Sequence, residues 1–216
     1  MKVGIIGSGS VARALGAGLI ELGHQVKISS RNTSAPALEK WQQEVGSQGS
    51  VGAFSEAAEF GEIVIVATKG TAAEKALELA GPAAFSGKTV IDVTNPLTMN
   101  SDKQLVLKEL PDGSCGETVQ RVLADAKVVK AFNTVNSAHM FRPQFPGGVP
   151  DMFFCGNDAD AKATVAELLK AFGWNPVDIG KIDAARLLEP VSMLGIRLAM
   201  NSGNWNYVFR VVYQDK

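Results

Sequence analysis

The apolar run Val3 to Ile6 passes directly into Gly7-Ser8-Gly9-Ser10-Val11-Ala12, and a segment of helical period follows from Val11 to Leu22, with Gly16 one turn further on. No other stretch restricts the fold as much. A buried strand that turns sharply into a helix leaves the first helical N–H groups without intrahelical partners. Gly7 permits the tight turn, Gly9 lets a pyrophosphate approach the backbone, and Ala12 keeps the helix close to the sheet. The expected ligand of such a helix N-terminus is a dinucleotide phosphate.

Further Val- and Ile-rich runs at Val26 to Ser29, Ile63 to Ala67, Thr89 to Val93 and Lys127 to Ala131 read as buried strands. Between them, Pro36 to Val45, Ala72 to Ala80 and Glu117 to Leu123 carry a helical period. Strand and helix in alternation imply parallel pairing through right-handed crossovers. The expected class is therefore α/β, a Rossmann-type doubly wound, mainly parallel sheet with a small C-terminal helical extension. A short strand over Val51 to Phe54 and a brief helix over Ser55 to Phe60 fit between the second and fourth strands. Asn95 to Cys115 has no clear period and reads as a long loop of the kind that borders a site. Phe141 to Pro150 is a second loop, with Asp151 to Cys155 and Asn175 to Ile179 as strands around a helix from Ala159 to Phe172. Ile182 to about Asn201 is helical, and Tyr207 to Tyr213 is an apolar tail. Residues 1–135 form the dinucleotide-binding Rossmann domain on this reading, and 136–216 a sheet extension and helical segment packed on it in one compact unit.

The second strand ends Ile28-Ser29-Ser30-Arg31-Asn32, without the acidic residue that would accept from the ribose hydroxyls of NAD. Ser30 and Asn32 are able to donate hydrogen bonds, and Arg31 pairs with a 2′-phosphate that a carboxylate would repel. The residue types favour NADP(H), by roughly 1–3 kcal/mol for one charge-assisted contact.

In an open parallel sheet the ligand crevice lies outside the carboxyl ends of the strands. Thr68 and Lys69 follow the fourth strand and are placed toward the ribose and pyrophosphate. Asn95 and Pro96 follow the fifth, and Ala131 and Asn133 the sixth, toward the nicotinamide. The cofactor-binding set is thus Gly7, Ser8, Gly9, Ser10, Val11, Ser30, Arg31, Asn32, Thr68, Lys69, Asn95, Ala131 and Asn133. Lys130 reads as a structural ion-pair partner. His24 reads as a turn residue, and His139 borders the same end of the sheet. No lysine, histidine or tyrosine is presented for proton transfer to an alcohol, so no catalytic side chain is assigned; hydride transfer between two flat heterocycles mainly requires that the rings be stacked.

A net charge of -1 gives no basic face for nucleic acid, and no apolar stretch is long enough for a signal peptide or a membrane span. The expectation is a cytoplasmic protein whose partner is a small-molecule redox acceptor, with no nucleic acid and no membrane. The two cysteines, Cys115 in a loop and Cys155 near a strand end, have no metal or redox spacing, and no metal site is expected.

These residues resemble the NADPH:coenzyme F420 oxidoreductases, which move hydride between NADPH and a soluble deazaflavin. The resemblance rests on Gly7-Ser8-Gly9 with Ala12, Ser30-Arg31, Asn95-Pro96, the run Val128-Val129-Lys130-Ala131-Phe132-Asn133-Thr134, and Arg186-Leu187-Leu188-Glu189. The same Lys-Ala-Phe-Asn-Thr run is similar to the cytosolic domain of the six-transmembrane metalloreductases. The resemblance implies coenzyme F420, FMN or FAD as co-substrate, its ring stacked on the nicotinamide near Asn95, Pro96, Thr134 and Val135. It also implies closure of that pocket by Met193 and Leu194, and a homodimer. The chain departs from the family at Lys69-Gly70, where the deazaflavin reductases carry an apolar turn, and at Asn133, which matches a histidine.

Other readings stay open on the residues. A flavin or ferric reductase needs the same nucleotide site with a different acceptor, and a non-enzymatic NADPH sensor needs no acceptor pocket. The β-hydroxyacid dehydrogenases share the nucleotide domain, but Arg197 and Asn201 imitate their catalytic spacing without the lysine, and an arginine stays protonated.

Overall fold

The computed structural model describes residues 1–214. Its strands are β1 (Lys2–Ile6), β2 (Gln25–Ser29), β3 (Gly49–Gly52), β4 (Ile63–Val66), β5 (Thr89–Asp92), β6 (Leu97–Met99), β7 (Leu105–Leu107), β8 (Lys127–Lys130), β9 (Asp151–Gly156) and β10 (Asn175–Asp178). The helices are α1 (Ser10–Glu21), α2 (Pro36–Val45), α3 (Phe54–Phe60), α4 (Ala73–Ala80), α5 (Cys115–Val122), α6 (Ala159–Ala171) and α7 (Ala185–Ser202). One eight-stranded sheet runs β10-β9-β8-β5-β4-β1-β2-β3. Every pair in it is parallel except β8 with β9. The class is the expected Rossmann-type α/β fold, and its switch point, where strand order reverses, lies between β1 and β4.

Alternating side chains of the central strands feed two cores. Ile5 joins a core with Leu15 and Leu19 of α1, Trp41 of α2 and Val165 of α6. The next residue, Ile6, packs on the opposite face with Leu77 of α4, Val119 of α5 and Leu188 of α7. Both faces are covered, which is why these strands read as unbroken apolar runs. Among the described residues no helix is long and apolar enough to cross a membrane.

Three local expectations are corrected. The segment 95–115 is not all loop: β6 and β7 form an antiparallel hairpin, whose tip is closed by Asn100 Oδ1 accepting from the Asp102 and Gln104 N–H groups at 3.0 and 2.8 Å. Each of its strands has three residues and none is fully buried, so no period was available to reveal them. Cys115 is not in a loop; it is the buried first residue of α5, because Ser114 caps that helix by accepting from Glu117 N at 3.1 Å. The third strand begins at Gly49 and ends at Gly52, before the expected span is complete. The Glu56 carboxylate takes the Ala53 N–H at 2.7 Å and starts α3 at Phe54.

Candidate functional site

Gly7 leaves β1 with φ +132°, and a Cβ there would overlap the Ala67 carbonyl oxygen at the end of β4. Only glycine joins the two strand ends so closely. Gly9 is the N-cap of α1 with an extended backbone, no side chain caps the helix, and its first turn holds no acidic residue. A Cβ added at Gly9 would meet nothing within 4 Å. The helix therefore points free N–H groups and the positive end of its dipole into open space, which suits a pyrophosphate.

Three adjoining clefts follow the carboxyl edge of the sheet. The first, about 390 Å³, is lined by Gly7, Ser8, Gly9, Ser29, Ser30 and Arg31 on one side and by Phe54, Ala72, Lys75, Ala76 and Leu79 on the other. Ser8 Oγ donates to Ser30 Oγ at 3.3 Å, and Ser30 Oγ also accepts from Asn32 N at 3.1 Å. Buried Ser29 ties the turn to the strands, its hydroxyl accepting from Gly7 N at 3.3 Å and donating to Ile5 O at 2.8 Å. Arg31 is exposed at the rim. Asn32 is turned into its own loop, where Oδ1 accepts from Ser34 N at 3.1 Å, and it does not line the cleft.

The second cleft, about 700 Å³, shares Gly9, Ala67, Thr68 and Lys69 with the first. It adds Ser10, Val11, Thr94, Asn95 and the hairpin residues Leu97, Thr98, Met99 and Leu105. The third, about 220 Å³, shares Ser10, Val11, Asn95 and Leu97 with the second, and is bounded by Asn133, Thr134, Val135, Ser192, Ile196, Trp205 and Tyr207.

Asn95 and Asn133 are locked together at the junction. Asn95 Nδ2 donates to Asn133 O at 2.8 Å, and Asn133 Nδ2 donates to Asn95 Oδ1 and to Leu188 O of α7, each at 3.0 Å. The buried Asn133 Oδ1 has no hydrogen-bond partner. Behind this pair lies a buried ion cluster: Lys130 Nζ is 2.8 Å from Asp92 Oδ2 and 2.9 Å from Glu189 Oε1, and donates to Thr94 O at 2.7 Å. Burial works to lower the Lys130 pKa, but the two carboxylates prevail and hold it raised. Burial, helped by Asp92, pushes the neighbouring Cys115 thiol up to about 12, so it is no nucleophile at neutral pH.

The structure brings Gly7, Ser8, Gly9, Ser10, Val11, Ser30, Arg31, Thr68, Lys69, Asn95, Asn133, Thr134 and Val135 to the clefts. It does not bring Ala131 or Pro96, which are buried, nor Met193 and Leu194. Leu194 faces outward, and α7 instead turns Ser192 and Ile196 to the third cleft. His24 faces the N-terminal amine at 3.5 Å, and His139 is held by Asn206 Oδ1, 2.9 Å from its Nε2; neither lines a cleft. Sequence reasoning missed Ser29, the hairpin residues, and Trp205 and Tyr207 of the tail. A serine pair ending the second strand was a legible signal for the first of these; the others carried none.

Residues 2–96 match the family model for NADP oxidoreductase, coenzyme F420-dependent. A crystal structure from Arthrobacter sp. FB24, assigned by name to the F420-dependent NADP reductases, superposes with a TM-score of 0.92 at 36% identity, covering 99% of this chain and all of that one. The F420-dependent NADP reductase of Methanocaldococcus jannaschii is 37% identical over 116 residues, 53% of this chain and 52% of that protein. The rat metalloreductase STEAP3 is 31% identical over 192 residues, 89% of this chain but 36% of that protein. The matches to these two curated relatives thus span about half and about a third of their lengths.

Proposed function

This chain belongs to the family of coenzyme F420-dependent NADP oxidoreductases, and from that premise we propose that it passes hydride between NADPH and a planar deazaflavin or flavin-like acceptor. NADPH, when bound, supplies the hydride from its nicotinamide ring. The turn Gly7 to Val11 takes the pyrophosphate, and Ser30 with Arg31 takes the adenosine end and its 2′-phosphate. Asn95, Asn133 and Thr134 shape the far end, where the second and third clefts meet.

One observation carries the reading. Among the described residues that line the second and third clefts, the titratable side chains are Lys69 and Tyr207. Burial raises the Tyr207 pKa, so its phenol stays neutral. With no histidine or carboxylate among the described lining residues, this wide trough suits ring-to-ring hydride transfer, in which the acceptor ring disperses the incoming charge, better than reduction of a carbonyl to an alcohol.

The competing reading is an NADPH-dependent flavin or ferric reductase. It is favoured by Lys69, which places a cation on the wall shared by the first two clefts where the deazaflavin reductases are apolar. The test follows NADPH oxidation with a deazaflavin, FMN, FAD and a ferric chelate as separate acceptors, and NADH in parallel. Fastest reduction of the deazaflavin supports the first reading. Reduction of flavin or iron alone selects the second. Tight NADPH binding with no turnover on any acceptor discards both and leaves an NADPH sensor.

A homodimer joined through α7 completes the proposal. Leu187, Val191, Leu194 and Leu198 recur on one outward stripe of that helix, three of them exposed, which is apolar surface a solitary chain has no use for. Sedimentation of the wild type and of Leu194→Glu checks it, with a loss of the dimer expected in the variant.

A further inference from the structure

After α7 the described residues have no regular structure, yet the return is fastened at several points as far as Val211. Gly203 closes the helix with φ +71°. Ser202 Oγ then accepts from Asn204 N at 3.2 Å, and Asn204 Oδ1 from Asn206 N at 2.9 Å. Asn206 Oδ1 lies 2.9 Å from His139 Nε2. The Tyr207 ring rests on α7 at Gly195, where a Cβ would overlap its hydroxyl. Further on, Phe209 O accepts from Asp151 N at 3.1 Å and Asp151 Oδ2 accepts from Val211 N at 2.6 Å, fastening the tail to the start of β9.

Within this fastened segment stands Trp205. It is 45% exposed, whereas Trp41 and Trp174 are each 3% exposed. The exposed part of the indole adds nothing to the fold, because apolar surface left in water contributes nothing to the hydrophobic term. Its accessible part lines the third cleft, facing Val11, Asn95, Thr134 and Ile196. An ordered backbone that holds a half-exposed aromatic side chain at a cleft wall is what stacking a flat ring requires.

We propose that Trp205 is a recognition residue for the hydride acceptor, supplying an aromatic wall to the compartment beyond Asn95 and Asn133 and selecting planar heterocycles. The proposal rests on the reading of the acceptor as a flavin-like ring, and adds to it the tail residue that would contact that ring. It replaces the expected closure by Met193 and Leu194 with one from the return segment.

The test uses the full chain, its Trp205→Phe and Trp205→Ala variants, and FMN and a deazaflavin as probes with NADP+ present. Trp41 and Trp174 emit in every form, so ligand-dependent quenching of tryptophan emission is expected to be largest in the wild type and clearly smaller in both variants. The acceptor KM rises about three- to tenfold in Trp205→Ala and recovers in Trp205→Phe, while the NADPH Kd moves by less than about twofold. Turnover in the wild type with the same acceptor KM in Trp205→Ala overturns the role of Trp205 and leaves the acceptor reading standing. Absence of both quenching and turnover with either probe, with NADPH still bound, overturns the acceptor reading and this proposal together.

Discussion

The Lys130 ammonium lies 2.8 Å from an Asp92 carboxylate oxygen, and neither side chain has any exposed surface. Glu189 of α7 completes the cluster from the other side, so a single cation holds the ends of β5 and β8 and the last helix together. Removing the cation strands two carboxylates in the core, and breaking a buried pair this way costs about 3–5 kcal/mol. Lys130→Met is therefore expected to lose most of its stability in denaturant unfolding. Glu189→Gln should behave differently. Burial raises the Glu189 pKa against the opposing pull of Lys130, so its neutral form is the easier one to bury, and the variant should stay within about 1 kcal/mol of wild type. The sign of the pH effect follows from the raised Lys130 pKa: its contribution is complete below the unfolded lysine value of about 10.4 and is lost as pH rises through the higher folded value.

Gly7 and Gly9 should separate folding from binding. Gly9→Ala adds a methyl to open space, so the melting temperature should hardly move, while NADPH affinity falls at least about tenfold because the methyl sits where the phosphates approach. Gly7→Ala has to fit a side chain at φ +132° against the Ala67 carbonyl, and should lose stability as well. Calorimetric melting beside an NADPH titration reads both quantities.

Arg31 is exposed at the rim of the first cleft, and on the proposed reading it pairs with the 2′-phosphate, the group that distinguishes the two dinucleotides. Arg31→Glu should weaken NADPH by about 10- to 100-fold and NADH by much less. Parallel binding titrations decide it, and equal losses would end the role given to Arg31.

Asn133→Asp tests the amide clasp. The Asn133 Nδ2 donates to two oxygens, Asn95 Oδ1 and Leu188 O, and a carboxylate would instead face both of them as a third acceptor. A loss of about 2–4 kcal/mol is expected from buried groups left unpaired, with a steeper fall in stability above the carboxyl pKa than below it. Urea unfolding at pH 4 and pH 8 measures that difference.

The order of the first eight elements was legible from the Gly7-to-Ala12 turn, the apolar strand runs and the stripe of α1, although β3, four residues of which two are glycine, was placed two residues late. Arg31 was legible for another reason, since its position relative to a strand end is local. The hairpin at β6 and β7 was not, because its three-residue strands bury neither face fully and are held by their ladder and by Asn100. Which face of α7 meets the site was equally hidden. Met193 and Ser192 are neighbours in sequence, but they lie about 100° apart around the helix, and only the docking of Ala185, Leu188, Gly195 and Ala199 against the body chooses between them.

The amino-acid sequence by itself determined the doubly wound class, the glycine turn into α1 and the placement of Ser30 and Arg31 at a strand end, because a glycine turn, a strand end and a helix start are consequences of a few adjacent residues. Only the tertiary structure decided that Lys130 faces two buried carboxylates, that Asn95 and Asn133 clasp each other across two strand ends, and that the tail returns Trp205 and Tyr207 to the far cleft. The ion pair and the amide clasp join residues 38 positions apart, and the geometry of all three depends on how sheet, hairpin and last helix pack together, a property that no local period encodes.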